Sequence, residues 1–448
     1  MIKTDPPPNI LATNEVFQDP AQAHSVLSAI YYNMVNNRGY FTAGNITIYA
    51  GVCADEFIPY DPANQLYSEF YQNKLQATNF QVGDIFWSVA YKCIFQANAV
   101  IENVPMTNFA DSIKNELIGE ARFVRAFCNF YLVNFFGDIP IVTTTNWQKT
   151  NLLYRSNQRD VYDFILKDLE YARTVLPRRF TATDMERIIP GYFAVVALLA
   201  RVYLYQKNWR AAEAASGELI GNTGLFSLVG LNDIFGPNNK EAIWQIKQLN
   251  TQTNLFAAPE GLLFIPQVKN SDIPPVVYLY ADFLTSFDRQ DRRRYDWIDS
   301  TKVAPTGEVY YYPHKYKVGY EQLANSYKEY HTVFRLAEQF LIRAEARLNL
   351  GNINGAVNDL NAIRTRGGLK DLPNDISWEN AFVELIKERR IELFAEWGHR
   401  WLDLKRWSIA GSVLKPVKGS EWQEDDTLYP IPASEIIANP NLTQNGGY

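Results

Sequence analysis

The amino-acid sequence predicts a mainly α fold: a tetratricopeptide-like scaffold of helical repeats, with long loop-rich insertions and minor β-structure. Three observations carry that expectation. Apolar residues recur at helical spacing over most of the chain. Two helix pairs repeat one another, because Ala200, Leu204, Asn208 and Ala212 correspond to Ala344, Leu348, Asn352 and Ala356 at a constant offset. Two stretches, about 54–81 and 249–330, break the helical pattern and concentrate aromatic and turn residues.

The elements follow in order. Residues 24–36 read as the first helix. Residues 82–104 form the second, with Trp87, Tyr91, Ile94, Phe95 and Val100 at helical spacing. Segments 111–136 and 159–176 make a looser pair, interrupted by 137–157. Segments 190–206 and 209–220 meet at the polar turn K-N-W-R, and 332–350 and 353–366 meet at G-N-I-N. Small residues opening each second helix let antiparallel partners approach closely. The first insertion is rich in Tyr, Phe, Asn and Gln. The second carries Pro259, Gly261, Pro274, Pro275, Pro305, Gly307 and Gly319, with Glu308–Pro313 reading as a short strand. The whole of 1–448 is thus expected to be one domain. Its scaffold would lie at about 20–50, 82–248 and 331–410, and insertions of this size on a rigid scaffold usually carry function.

Residues 386–407 stand out chemically. Phe382, Leu385, Ile386, Leu393, Phe394 and Trp397 fall on one helical stripe, and Arg389 lies inside it. A charge there needs partners, expected among Glu388, Glu392, Glu396 or Asp403. Glu388 and Glu392 share a helical face, and paired carboxylates could serve glycoside hydrolysis. The surrounding Arg389, Arg390, Arg400 and Arg406 favour ionised, paired carboxylates, whereas a general acid needs a raised pKa. The run is therefore expected to be a structural ion-pair network, with His399 bonded inside it and Trp397, Trp401 and Trp407 in the core.

Composition narrows the function classes. The chain is 47% hydrophobic and 21% charged, as globular proteins are. Its net charge of −6 and lack of basic runs exclude nucleic acid as a partner. Cys53, Cys93 and Cys128 form neither a disulfide framework nor a zinc motif, and the four histidines are far apart. There is no phosphate loop, nucleophile elbow, H-E-x-x-H or EF-hand, so neither metal nor cofactor is expected. No run of about 20 apolar residues suggests a membrane span.

The same residues carry a family resemblance. E-R-R-x-E-L at 388–393 precedes G-H-R-W-x-D-L-x-R-W at 398–407, and the chain closes with L-Y-P-I-P-A-S-E-I-I-A-N-P-N-L-T-Q-N-G-G-Y at 428–448. Upstream stand W-x-x-A-Y-x-x-I-x-x-A-N-x-V-I-E at 87–102 and G-E-A-R-F-x-R-A-F…Y-L-V-x-x-F-G-D-I-P at 119–140. Together they resemble the SusD/RagB family of nutrient-binding surface lipoproteins of Bacteroidetes. The resemblance implies a non-catalytic protein on the outward face of the outer membrane. It would bind an oligosaccharide and deliver it to a SusC-like TonB-dependent transporter. It also implies a lipid anchor on a cysteine of a removed lipoprotein signal, with the proline-rich start as tether remnant. Peptide binding within the same family is one alternative, and an all-α glycoside hydrolase is another.

Sugars present apolar C–H faces that stack on aromatic rings and hydroxyls that want polar partners. Aromatics make up 14% of the chain, with 27 Tyr. The candidate ligand residues are accordingly Asp55, Tyr60, Asn64, Tyr67 and Tyr71 from the first insertion. The second supplies Tyr278, Tyr280, Trp297, Tyr310 and Tyr311. Strand alternation places Tyr310 and Tyr312 on one face and Tyr311 on the other.

Overall fold

Helix α1 (Pro20–Asn36) shows how local chemistry sets the boundaries. Asp19 accepts the amide N–H of Ala21 at 2.8 Å and Pro20 pre-sets the first turn, so the helix begins before its apolar stripe does. A computed structural model describes residues 17–180, 186–248, 257–304, 306–320, 328–419 and 422–448. Pro305, the proline-rich start and the opening of the second insertion lie outside them.

The other main helices are α2 (Ile46–Cys53), α3 (Val89–Asn103), α4 (Asp111–Phe136), α5 (Gln158–Val175), α6 (Tyr192–Tyr205) and α7 (Trp209–Gly221). After the second insertion come α8 (Leu336–Asn349), α9 (Ile353–Arg366), α10 (Trp378–Leu393), α11 (His399–Arg406) and α12 (Ala410–Lys418). From α3 to α9 each helix packs on the next, and α10 closes against α8 and α9. A π-helical segment, Gln81–Ser88, leads into α3, so the continuous α-helix expected over 82–104 is wound differently in its first two turns.

The internal repeat is explicit. Ala200, Ala212, Ala344 and Ala356 are all fully buried. At both turns a left-handed residue, Lys207 or Gly351, reverses the chain, and the following asparagine caps the next helix. Asn208 accepts from the Ala211 amide and Asn352 from the Gly355 amide.

One helical expectation fails. Residues 332–335 belong to strand β6 (His331–Arg335), which pairs antiparallel with β2 (Ala242–Ile246). Both strands are entirely buried, and a short run buried on both faces has no period that separates it from a helix. Around this pair lies the aromatic core. Phe127 of α4 makes edge contacts with Trp244 at 5.6 Å, Phe334 at 6.3 Å and Trp397 at 5.8 Å.

The insertions contribute two more antiparallel pairs. β1 (Phe57–Pro59) pairs with β3 (Val277–Leu279), with Ile58 opposite Tyr278. β4 (Ile298–Val303) and β5 (Glu308–Pro313) form a hairpin with Thr301 opposite Tyr310, its turn using Gly307 at φ +76°. Cys53, Cys93 and Cys128 are free and buried. Among the described residues no helix is long and apolar enough to cross a membrane.

Candidate functional site

The charged run 386–407 is an ion-pair lattice inside the protein. Its helix stops at Leu393. Ala395, Trp397 and Gly398 adopt positive φ, so Phe394 and Trp397 leave the expected helical stripe and enter the core through a tight connection. Arg389 binds Asp403 through two nitrogens, at 2.7 and 3.0 Å. Asp403 also accepts from Arg406, which reaches Glu345. Glu388 pairs with Arg293 at 2.8 Å and Arg364 at 3.1 Å. Glu392 is enclosed by Arg293, Arg335 and Arg366, and Glu396 by Lys315 and Arg335.

Burial alone would raise the pKa of Glu392, but Arg366, Arg335 and Arg293 outweigh it and hold the carboxylate well below its ordinary range. Burial, reinforced by Arg201 and Arg389, pushes His399 well below the usual histidine value. Glu388 and Glu392 are both fully buried, so this face lacks access, and the arginines around Glu392 hold it ionised. Among the described residues no group of three or more His, Cys, Asp or Glu could hold a metal ion.

The aromatic insertions behave differently. Pairing of β1 with β3 draws the two insertions together. The Tyr278 ring meets Tyr310 edge-on at 4.9 Å, and Tyr310 meets Tyr60 at 5.2 Å. All three are half-buried, so each keeps part of its surface accessible. Tyr310 donates its hydroxyl to Glu308 at 2.5 Å, and that bond raises its pKa to about 12. Burial raises Tyr278 above its ordinary value.

Beside this trio, the Lys418 ammonium sits 4.5 Å from the Tyr71 ring centroid and 5.8 Å from that of Tyr280. Burial lowers Lys418 to about 8 against the pull of Cys53 and Asp55, and its Nζ donates to Val52 O. Burial, then neighbouring Tyr71, raises Tyr280. Asn64 is exposed in the turn after Tyr60, where its side chain accepts the Leu66 amide.

Four expected ligand residues lie elsewhere. Asp55 is 5% exposed and gripped by Arg400 at 2.7 and 2.9 Å and Arg390 at 2.6 Å, so it belongs to the internal lattice. Burial tends to raise its pKa, yet Arg400 and Arg390 hold it below the ordinary value. Trp297 is fully buried and its indole N–H donates to Leu231 O, which makes it core. Tyr311 packs towards the core with the Arg294 guanidinium 5.0 Å above its ring. Tyr67 turns inward against Tyr49, at 5.6 Å, and lines a separate cleft. Lys418 was not anticipated. A lysine near the end of a helix, beside Lys415, carries no local sign that it will meet two tyrosines from distant segments.

A profile described as the SusD family matches residues 293–448. Another, described as starch-binding associating with outer membrane, matches 12–204. SusD-like protein P2 of Formosa agariphila is 30% identical over 431 residues, covering 83% of each chain. The starch-binding protein SusD of Bacteroides thetaiotaomicron is 32% identical over 126 residues, 26% of this chain and 21% of that protein.

In three dimensions, a SusD-like protein from Bacteroides fragilis superposes with a TM-score of 0.80 at 21% identity, covering 98% of this chain and 99% of that one. A laminarin binding SusD-like protein gives 0.78 at 23% identity, covering 96% and 100%. The family profiles and the relative that is 30% identical over 83% of each chain agree: this chain belongs to the SusD family.

Proposed function

We propose that the protein is a non-catalytic glycan-binding protein of the outer-membrane surface, and that it passes captured oligosaccharide to a SusC-like TonB-dependent transporter. One observation carries the reading: two distant insertions converge to present Tyr60, Tyr278 and Tyr310 as one aromatic shelf. The accessible parts of these rings stack on sugar C–H surfaces, while exposed Glu308 and Asn64 supply polar groups near them. The names of relatives point the same way, since one is a starch-binding protein and a structural neighbour binds laminarin. Stacking tolerates repetition along a chain, and affinity spread over a few rings allows release to the next carrier.

The test is affinity electrophoresis through gels containing starch, laminarin or other neutral polysaccharides. Wild-type protein should be retarded in at least one. A double variant, Tyr278→Ala with Tyr310→Ala, should lose most of that retardation. Retention of peptides but of no glycan would move the reading to peptide uptake. Release of reducing ends from any polysaccharide would make the protein an enzyme.

A further inference from the structure

The aromatic shelf ends in a carboxylate–phenol pair. Glu308 and Tyr310 are two residues apart on β5, so their side chains share a face. The Tyr310 hydroxyl donates to Glu308 Oε2 at 2.5 Å in a solvent-exposed setting, and Glu308 itself is exposed. That bond commits the phenol proton. What the pair keeps free is acceptor capacity: the second carboxylate oxygen and the lone pairs of the phenol oxygen.

The charge on Glu308 is not offset locally. Among the described residues no Lys, Arg or His forms an ion pair with it. Lys302 stands opposite Val309 and so lies on the other face of the hairpin. The Arg294 guanidinium covers Tyr311, which alternation puts on that other face too. Lys418 gives its Nζ to Val52 O and lies against the Tyr71 and Tyr280 rings. The phenols beside the carboxylate register the imbalance. The Glu308 hydrogen bond raises Tyr310, and burial, then Tyr71 and Glu308, raise Tyr278, whereas a compensating cation would lower both. Asp61, exposed and next to Tyr60, adds a further negative charge.

Acceptors with uncompensated negative charge define the ligand. Sugar hydroxyls donate to such a pair, and hydrogen bonds to a carboxylate are stronger than neutral ones. Neighbouring hydroxyls suit it best, because the two acceptors are themselves neighbours. A uronate or a sulfate ester brings only more acceptors and a like charge, which repels. We propose that the Glu308–Tyr310 pair makes the shelf selective for neutral glycans, accepting two adjacent sugar hydroxyls and rejecting chains that carry carboxylate or sulfate beside them. The proposal rests on the glycan reading above and names the class of glycan.

The experiment measures affinity of the full chain for the neutral polysaccharide that retards it. The comparison ligand is the same polysaccharide oxidised at its primary alcohols to carboxylates, which leaves the ring hydroxyls in place. Wild-type protein should prefer the neutral form at least tenfold at low salt, and the gap should narrow in about 0.5 M NaCl. Glu308→Gln should weaken neutral binding at least fivefold and narrow the gap. Tyr310→Phe, which keeps the ring, should weaken neutral binding at least twofold. Asp375→Asn, which removes an exposed charge from the loop between α9 and α10, should change neither. If Glu308→Gln does not fold, Tyr310→Phe and the salt dependence carry the test. Neutral binding or a gap left unchanged by Glu308→Gln overturns the selectivity. So does equal wild-type affinity for the two forms, or retardation by anionic polysaccharides alone; the glycan reading then stands without it. If no polysaccharide retards wild-type protein, both proposals fall.

Discussion

At the scale of single residues, burial sorts charges into two classes. Arg389 is 1% exposed and bonded to Asp403 through two nitrogens, so removing it strands a buried carboxylate. Arg389→Ala should destabilise the protein by about 3–5 kcal/mol in denaturant melts. Glycan retention below the melting range should persist, and selective loss of binding at unchanged stability would contradict the structural role.

Glu56 belongs to the other class. Burial, helped by neighbouring Asp55, raises its pKa to about 8. Between its unfolded value near 4.5 and that value, the folded protein holds a proton the unfolded chain has lost. The stability from neutral Glu56 is thus complete at low pH and is lost as pH rises through about 8. Glu56→Gln removes this loss. The stability of the variant relative to wild type should grow from pH 4.5 to 8 and then level, as read by melts across that range. At this scale the sequence showed that Arg389 needed a partner, but not which carboxylate would be the ligand-like one. Asp55 looked available because its partner Arg400 is 345 residues away.

At the scale of elements, the connection between α10 and α11 is tightly determined. Gly398 has φ +70°, and a Cβ there would come within 2.8 Å of the Ala50 Cβ on α2. Gly398→Ala should cost about 1–2 kcal/mol from the left-handed backbone alone, with the contact adding to it. A melting temperature equal to wild type would show that this junction does not fix α2 against α11. The long helices were legible because each carries several turns of amphipathic repetition. Thr332–Arg335 was not, because a buried four-residue run carries no period of its own. The shelf was legible only as a set of tyrosines. Which of them meet is decided by the register Ile58 opposite Tyr278, a pairing between segments with no local signal for each other. Trp297 sits in the same aromatic-rich stretch, and only its long-range bond to Leu231 O separates core from surface.

At the scale of the whole molecule, the ion-pair lattice binds insertion to scaffold. Arg293 and Lys315 come from the second insertion, Glu241 and Arg335 from the buried strand pair and its margin, Arg366 from α9, and Glu392 and Glu396 from the end of α10 and its connection. Each carboxylate serves two or more cations, so no segment can withdraw without leaving charge unpaired elsewhere in a low-dielectric interior. That architecture gives the loop-rich face a rigid base, as a preorganised binding surface requires.

The three enclosed cysteines give this coupling a clock. Cys53 ends α2, Cys93 is on α3 and Cys128 on α4, each at most 1% exposed. Burial pushes the Cys53 thiol up to about 12 and Cys128 well above its ordinary value, and enclosure keeps all three sulfurs from a reagent in the native state. A coloured thiol reagent should therefore react with all three sulfurs at one common rate, the rate at which the folded chain opens. Three separate rates would instead reveal regions that breathe independently.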